Sequence, residues 1–224
     1  DPERIVGGSK IKKFDRNIEA IETINRIEAE RREPTPHELD VLAGYIGWGD
    51  FAQELFQFDR YGRPSHPDAT WRRRAQQLRE LLTPEEWESA RESTINAHYT
   101  DPETVSAVWR MIARLGFDGG RVLEPAAGIG NFFSLMPRDM MARSDLTAIE
   151  LDKLTYRILR VLHPRVAAHN RAYQDSRTPD NFYDLIVSNV PFSSVRVTSD
   201  PKYPQKPSLH NYFFLKALDQ VRPG

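Results

Sequence analysis

The chain has 224 residues, 39% of them hydrophobic and 28% charged, with 11 Phe, 8 Tyr and 4 Trp, so it can bury a sizeable core and is too rich in aromatic residues to read as disordered. It has no Cys, which excludes disulfide scaffolds, thiolate zinc sites and cysteine nucleophiles, and no apolar run approaches the ~20 residues of a membrane span. Net charge is −1: residues 1–95 carry 15 Lys+Arg against 19 Asp+Glu and residues 96–224 carry 16 against 13, so neither part is a broadly basic nucleic-acid surface.

Residues 1–13, with Gly7-Gly8 and scattered Lys, read as a loose lead-in. Ile18, Ile21, Ile24 and Ile27 then recur every third residue, one apolar stripe along a helix that must stop before Pro34. Thr35-Pro36-His37-Glu38 is a helix start: a hydroxyl cap, Pro at the first helical position and Glu set to cap back. The helix it opens carries Leu39, Leu42, Tyr45 and Ile46 and is expected to end at Gly47-Trp48-Gly49. Thr83-Pro84-Glu85-Glu86 repeats the signal after Leu78, Leu81 and Leu82. Residues 1–95 are therefore predicted to form an all-helical extension.

From residue 96 the pattern changes to short apolar runs alternating with helical stretches, as in a parallel sheet with crossover helices. Asp101-Pro102-Glu103 caps a helix with Val105, Val108, Trp109, Ile112 and Leu115 on one face, closed by Gly116. Strands are predicted at Arg121–Glu124, Leu146–Glu150, Val166–Ala168 and Tyr183–Ser188, with a helix at Lys153–Leu162 and a last helix capped by Ser208. Residues 96–224 thus read as a Rossmann-like, doubly wound α/β domain. A fifth strand would normally follow the last helix, so the sheet is expected to be incomplete at its C-terminus and completed by another segment or partner.

Three constellations carry chemistry. After the first strand comes Glu124-Pro125-Ala126-Ala127-Gly128-Ile129-Gly130, where glycine lets the backbone turn sharply and approach a ligand. The dinucleotide fingerprint fails, because its third glycine position holds Phe133. A carboxylate at Glu124 suits a cationic or amine-bearing ligand and repels phosphate; the alternative is a tight turn with a solvated Glu. Glu150 ends the second strand, where an acid can accept both hydroxyls of a ribose. The other use of an acid there is capping the next helix, for which Asp152 is the better placed. Ser188-Asn189-Val190-Pro191-Phe192 leaves the fourth strand, either as a functional motif or as a plain strand exit.

At that third stretch the chain resembles the amino-methyltransferases that use S-adenosylmethionine, whose fourth-strand motif is Asn/Asp-Pro-Pro followed by an aromatic residue. The Glu-Pro-Ala-Ala-Gly-Ile-Gly turn resembles their cofactor loop, and His98-Tyr99-Thr100-Asp101-Pro102 resembles the Tyr-Thr-Pro segment of adenine-N6 DNA methyltransferases. With Tyr45-Ile46-Gly47-Trp48-Gly49 and Asn211-Tyr212-Phe213-Phe214, nearly the whole chain is similar to the methyltransferase portion of large methyltransferase-helicase polypeptides of phages, plasmids and bacterial defence islands.

The resemblance implies transfer of a methyl group from S-adenosylmethionine to adenine N6 in DNA, leaving S-adenosylhomocysteine, in a phage-defence, restriction-modification or mobile-element setting and a bacterial cytoplasm. It implies that Tyr99 and Thr100 hold the amino-acid end of the cofactor, Glu124 its ammonium, Pro125, Ala126, Gly128 and Gly130 its backbone path, and Glu150 its ribose. Asn189, Val190, Pro191 and Phe192 hold the target amine and base. The adenine amine of the cofactor falls to Gln174 or to Asp175. Val190 stands where a first Pro is usual and Phe192 where Tyr is common. The same motif serves other planar amines, a protein glutamine or an RNA base, and an inert cofactor-binding module is a further alternative. DNA recognition is expected from a further segment or a partner such as a helicase. Six His without metal-ligand spacing point to no metal, and no membrane is implicated. Arg72-Arg73-Arg74 reads as a solvated helix face, and Lys202, Tyr203 and Lys206 as candidates to meet substrate.

Overall fold

Ser9 Oγ accepts the Lys12 N–H and opens α1 (Lys10–Glu30), so the first helix begins inside the stretch that the sequence reads as a lead-in. The extra turns bring in Phe14, which is buried together with Ile18, Ile21, Ile24 and Ile27. The computed structural model describes residues 9–94 and 100–223, and the chain divides into two units, residues 1–98 and 99–224.

In the first unit the fully buried Asn17 of α1 donates its amide to Gly47 O at 2.6 Å and accepts the Ile46 N–H at 3.0 Å. That pair explains why α2 (Pro36–Ala43) stops before Tyr45 and Ile46: the amide that would continue the helix is already taken. Tyr45 and Trp48 turn into the core, where Trp48 meets the rings of Phe14, Tyr45 and Phe51. The Tyr45-Ile46-Gly47-Trp48-Gly49 stretch is therefore a packed turn. A 3₁₀ turn (Gly49–Phe51) leads to α3 (Ala52–Leu55), α4 (Ala69–Leu81) and α5 (Pro84–Ser93). Both predicted capping boxes are present, at Thr35/Glu38 and Thr83/Glu86. The arginine run of α4 is divided among separate duties: Arg72 donates to His66 O and Pro67 O at 2.7 Å, Arg74 pairs with Asp15 at 3.2 Å and lies over the Phe14 ring, and Arg73 is exposed.

The second unit opens with α6 (Pro102–Arg114), capped by Asp101, whose carboxylate accepts the Thr104 N–H at 2.9 Å. Val105, Trp109 and Ile112 are buried, whereas Leu115, expected on the same stripe, is 80% exposed because the helix has ended and the chain turns away at Gly116. Four parallel strands follow: β1 (Arg121–Glu124), β2 (Asp145–Glu150), β3 (Ala167–Asn170) and β4 (Leu185–Ile186), in the order β3-β2-β1-β4. Two short helices, α7 (Asn131–Ser134) and α8 (Arg138–Ala142), join β1 to β2, and α9 (Lys153–Leu162) joins β2 to β3. Val122 packs with Trp109 and Met140 on one face; Leu123 and Ile149 pack with Tyr212 and Phe213 of α10 (Leu209–Gln220) on the other. Helices on both faces of a parallel sheet make this the Rossmann-like, doubly wound architecture expected from the sequence.

β4 is shorter than the predicted Tyr183–Ser188. Tyr183 leaves the sheet to pair with the segment after α10: its N–H donates to Gln220 O at 3.0 Å and its carbonyl accepts the Arg222 N–H at 2.9 Å. Beyond β4 the Val187 N–H still donates to Leu123 O at 3.1 Å, so the chain leaves the sheet alongside the end of β1. Strand order reverses between β1 and β4, and ligands of such sheets sit outside the carboxyl ends of the strands at that reversal.

Candidate functional site at the strand-order reversal

At the end of β1 the backbone turns through Gly128 (φ 56) and Gly130 (φ 88) before α7 begins. Gly130 is fixed twice over. Its φ is one that side chains rarely adopt, and a Cβ there would lie 2.5 Å from His163 Cδ2 and 2.8 Å from Leu159 Cδ1. Trp109 Nε1 donates to Phe132 O at 2.8 Å and ties α7 to α6. Pro125 is buried, and Ala126 packs against the cluster around Leu123.

Glu150, at the end of β2, holds that loop. Its Oε2 accepts the Gly128 N–H and its Oε1 the Asp152 N–H, each at 2.7 Å. Burial, then the nearby Asp152, push its carboxyl up to about 7, against the pull of the N–H groups of Asp152, Gly128 and Leu151. Asp152 itself caps α9 through the Thr155 N–H at 2.7 Å, as its position in the sequence predicts. With about four lone-pair sites on its two oxygens, the Glu150 carboxyl retains acceptor capacity beyond these backbone donors.

Glu124 is the electrostatic anomaly of the unit. It is 2% exposed, and its Oε2 has no hydrogen-bond partner. Burial first, and the Glu150 charge second, hold its carboxyl well above the usual carboxylate range. An acid so placed costs stability until a cation meets it. A buried acid whose Oε2 lacks a partner, beside the acceptor oxygens of Glu150, therefore fits an amine-bearing ligand lying across the ends of β1 and β2, and its burial excludes the solvated-Glu alternative.

Beyond β4, Ser188 Oγ is also buried without a partner, and Asn189, Val190 and Pro191 are half-buried. The Val190 side chain packs against the cluster of Leu123, Tyr212 and Phe213. Phe192 is 65% exposed. Thr100 is half-buried immediately before the α6 cap, and Tyr99 lies outside the described residues. Gln174 is half-buried and Asp175 exposed on a 3₁₀ turn (Tyr173–Asp175) after β3.

Two of the three residues read as substrate-facing in the loop after Phe192 are structural instead. Lys202 pairs with Asp180 at 2.8 Å and Asp219 at 2.7 Å, and the Tyr203 hydroxyl, its ring buried, donates to Asp219 at 2.8 Å. Lys206 is exposed. Among the described residues no group of three or more His, Asp or Glu could hold a metal ion, and no helix is long and apolar enough to cross a membrane.

No protein-family model matches the chain. Over 135 residues, 58% of the chain, it is 30% identical to the defense against restriction protein B of Escherichia phage P1, and this match spans 6% of that protein's length. Among solved structures, a candidate class I S-adenosylmethionine-dependent methyltransferase from Listeria monocytogenes is similar with a TM-score of 0.48 at 10% identity, over 94% of this chain and 71% of that one. The methyltransferase subunit of a type I restriction-modification system from Streptococcus thermophilus gives 0.45 at 16% identity, over 91% and 52%. Likenesses this distant leave the functional argument to the chain's own residues.

Sequence reasoning missed two residues near these strand ends. His163, just past α9, contacts Ser134 Oγ through Nε2 at 3.2 Å and meets the Phe133 ring edge-on. Burial holds its imidazole down to about 4, against the backbone of Ile129 and Gly130. Its only signal was a polar residue at the end of a strongly amphipathic helix. His210 stacks on Phe192 across 18 residues of chain, a contact that no local pattern announces.

Proposed function

We propose that residues 96–224 form an S-adenosylmethionine-dependent methyltransferase domain acting on the exocyclic N6 of adenine in DNA, with residues 1–95 as its helical extension. The observation that carries this reading is the buried carboxyl of Glu124 at the end of β1, its Oε2 without a partner, next to the strand from which Asn189-Val190-Pro191-Phe192 emerges. Glu124 receives the ligand ammonium, Gly128 lets its backbone-facing edge approach, Gly130 keeps the loop in shape against His163, Glu150 accepts the ribose hydroxyls, and Thr100 with Tyr99 borders the amino-acid end. Of the two candidates for the adenine amine we favour Gln174, which is half-buried where Asp175 is exposed. Bound there, S-adenosylmethionine would supply the methyl group from its sulfonium, giving S-adenosylhomocysteine, and the methylated amine would release one N–H proton to solvent.

The target amine is a poor nucleophile because its lone pair is delocalised into the ring. The Asn189 side-chain oxygen and the Val190 carbonyl each accept one of its N–H groups, which favours a pyramidal nitrogen with a localised lone pair. Val190 in place of Pro leaves the carbonyl in being, and Pro191 keeps Val190 extended. Phe192 stacks on the base once it has rotated out of the duplex, offsetting part of an unstacking cost of a few kcal/mol. The likeness to a phage defense protein supports a mobile-element context, with target recognition from further chain or a partner.

Incorporation of tritiated methyl groups into adenine-containing duplexes, against RNA and protein acceptors, tests the substrate class; label confined to protein or RNA overturns the DNA reading. Calorimetry with S-adenosylmethionine and S-adenosylhomocysteine tests the cofactor, and no heat at protein concentrations well above micromolar favours an inert module.

A further inference from the structure

Phe192 leaves the sheet on a segment without regular secondary structure, yet its ring is held. Ser193 Oγ accepts the Val195 N–H at 3.2 Å and turns the chain. The loop then closes on itself: the Leu209 N–H donates to Val195 O at 2.7 Å and the Val197 N–H to Pro207 O at 2.9 Å. This closure delivers the first turn of α10 beside Phe192, and His210 stacks on it with ring centroids 5.4 Å apart and planes 24° apart. Among the described aromatic pairs it is the one near-parallel stack; the others are tilted or edge-on. Phe214, one turn further along α10, meets His210 edge-on at 5.0 Å and limits its swing.

α10 is a firm base for this. The Tyr212 hydroxyl donates to Asp200 at 2.5 Å, and Lys216 Nζ donates to Tyr173 O at 2.7 Å. A third ring between Phe192 and His210 would need about 7 Å, two van der Waals separations. The inner face of Phe192 is therefore closed, while the residue as a whole is 65% exposed.

We propose that His210 is a positioning residue for Phe192: it backs the ring from α10, so that only the outer face of Phe192 accepts the target base. The inference rests on the methyltransferase reading for the identity of the base, and on the stack alone for the geometry.

The test uses the full chain and the variants His210→Ala and His210→Phe, with ring-labelled phenylalanine NMR, cofactor calorimetry and methyl-transfer kinetics. In His210→Ala the Phe192 ring signals, assigned by their loss in Phe192→Leu, should shift toward those of a freely moving ring. Cofactor affinity should stay unchanged, and turnover should fall about three- to tenfold, the worth of one aromatic stack. His210→Phe should restore ring positions and turnover to within about twofold, since stacking needs a flat ring and no imidazole proton. Unmoved Phe192 signals in His210→Ala overturn the proposal, and so does a His210→Phe variant as impaired as the alanine. The ring signals report whether or not the chain turns over. Their failure with cofactor heat retained sinks this inference alone, whereas loss of cofactor heat in the unsubstituted chain sinks the methyltransferase reading.

Discussion

Glu150 Oε2 accepts the Gly128 N–H at 2.7 Å, so the acid at the end of β2 fixes the shape of the glycine loop at the end of β1. On the proposed function, ligand recognition and loop geometry therefore share one side chain. Its Oε1 bond to the Asp152 N–H adds a third element, the start of α9.

Glu150→Ala should accordingly weaken cofactor binding by about ten- to a hundredfold, from the loss of charge-assisted hydrogen bonds and of the loop brace. Phe192→Ala should leave that affinity in place and lower turnover. Calorimetry with S-adenosylhomocysteine, alongside single-turnover methyl transfer, separates the two. Identical effects from both changes would contradict the division of roles between the strand ends.

Glu124→Gln should stabilise the ligand-free chain and abolish its affinity for the cofactor. The native carboxyl keeps its proton well above pH 4.5, whereas the unfolded chain releases it there. Between those values the unfolded state binds fewer protons, so the native chain loses stability as pH rises, and a glutamine does not take part in that loss. The melting temperatures of the two proteins should coincide near pH 4 and diverge in favour of the variant toward pH 8, at about 2–4 °C per kcal/mol for a chain of this length. A variant that melts lower at pH 8 would mean that Glu124 already has a partner in the free protein.

Much of this was legible in the sequence, and the reason is local chemistry. Thr35, Thr83, Asp101, Asp152 and Ser208 cap helices as their neighbours predict, because a cap needs only a side-chain oxygen and an N–H two or three residues away. β1 lies where its apolar run placed it. What the sequence concealed depends on distant chain. β4 was overextended because Tyr183 pairs with the backbone after α10, which no nearby residue encodes. Lys202 and Tyr203 looked available because Asp219, their common partner, is 17 and 16 residues away. The residue types for a cation site were visible at Glu124; the missing partner of its Oε2 was not, since it depends on what the other strands fail to supply.

Gly130→Ala should cost far more than Gly116→Ala, although both glycines have positive φ, 88 and 93. At Gly116 a Cβ meets nothing within 4 Å, so the cost is about 1–2 kcal/mol of backbone strain. At Gly130 the same strain is joined by contacts of 2.5 Å to His163 and 2.8 Å to Leu159, both on well-packed chain. Urea unfolding should show a difference of at least about 1–3 kcal/mol between the variants, the usual cost of overpacking. Equal losses would mean that the His163 ring swings aside freely.

His163 gives the second unit a built-in sensitivity to acid. Burial holds its native imidazole down to about 4, against 6.5 for an unperturbed one. Between those values the unfolded chain takes up a proton that the native chain refuses, so stability is fully present above pH 6.5 and drains away as pH falls toward 4. The difference is worth about 1–3 kcal/mol once the ring's partial exposure is allowed for. His163→Phe keeps a ring against Phe133 and has no proton to take up, at the cost of the contact with Ser134. Urea midpoints at pH 7 and pH 4.5 should therefore fall less for the variant than for the unsubstituted protein, even if the variant starts lower at pH 7. Carboxylates elsewhere titrate alike in both proteins and cancel in the difference. Equal falls would assign the acid sensitivity to those carboxylates and leave His163 a packing residue only.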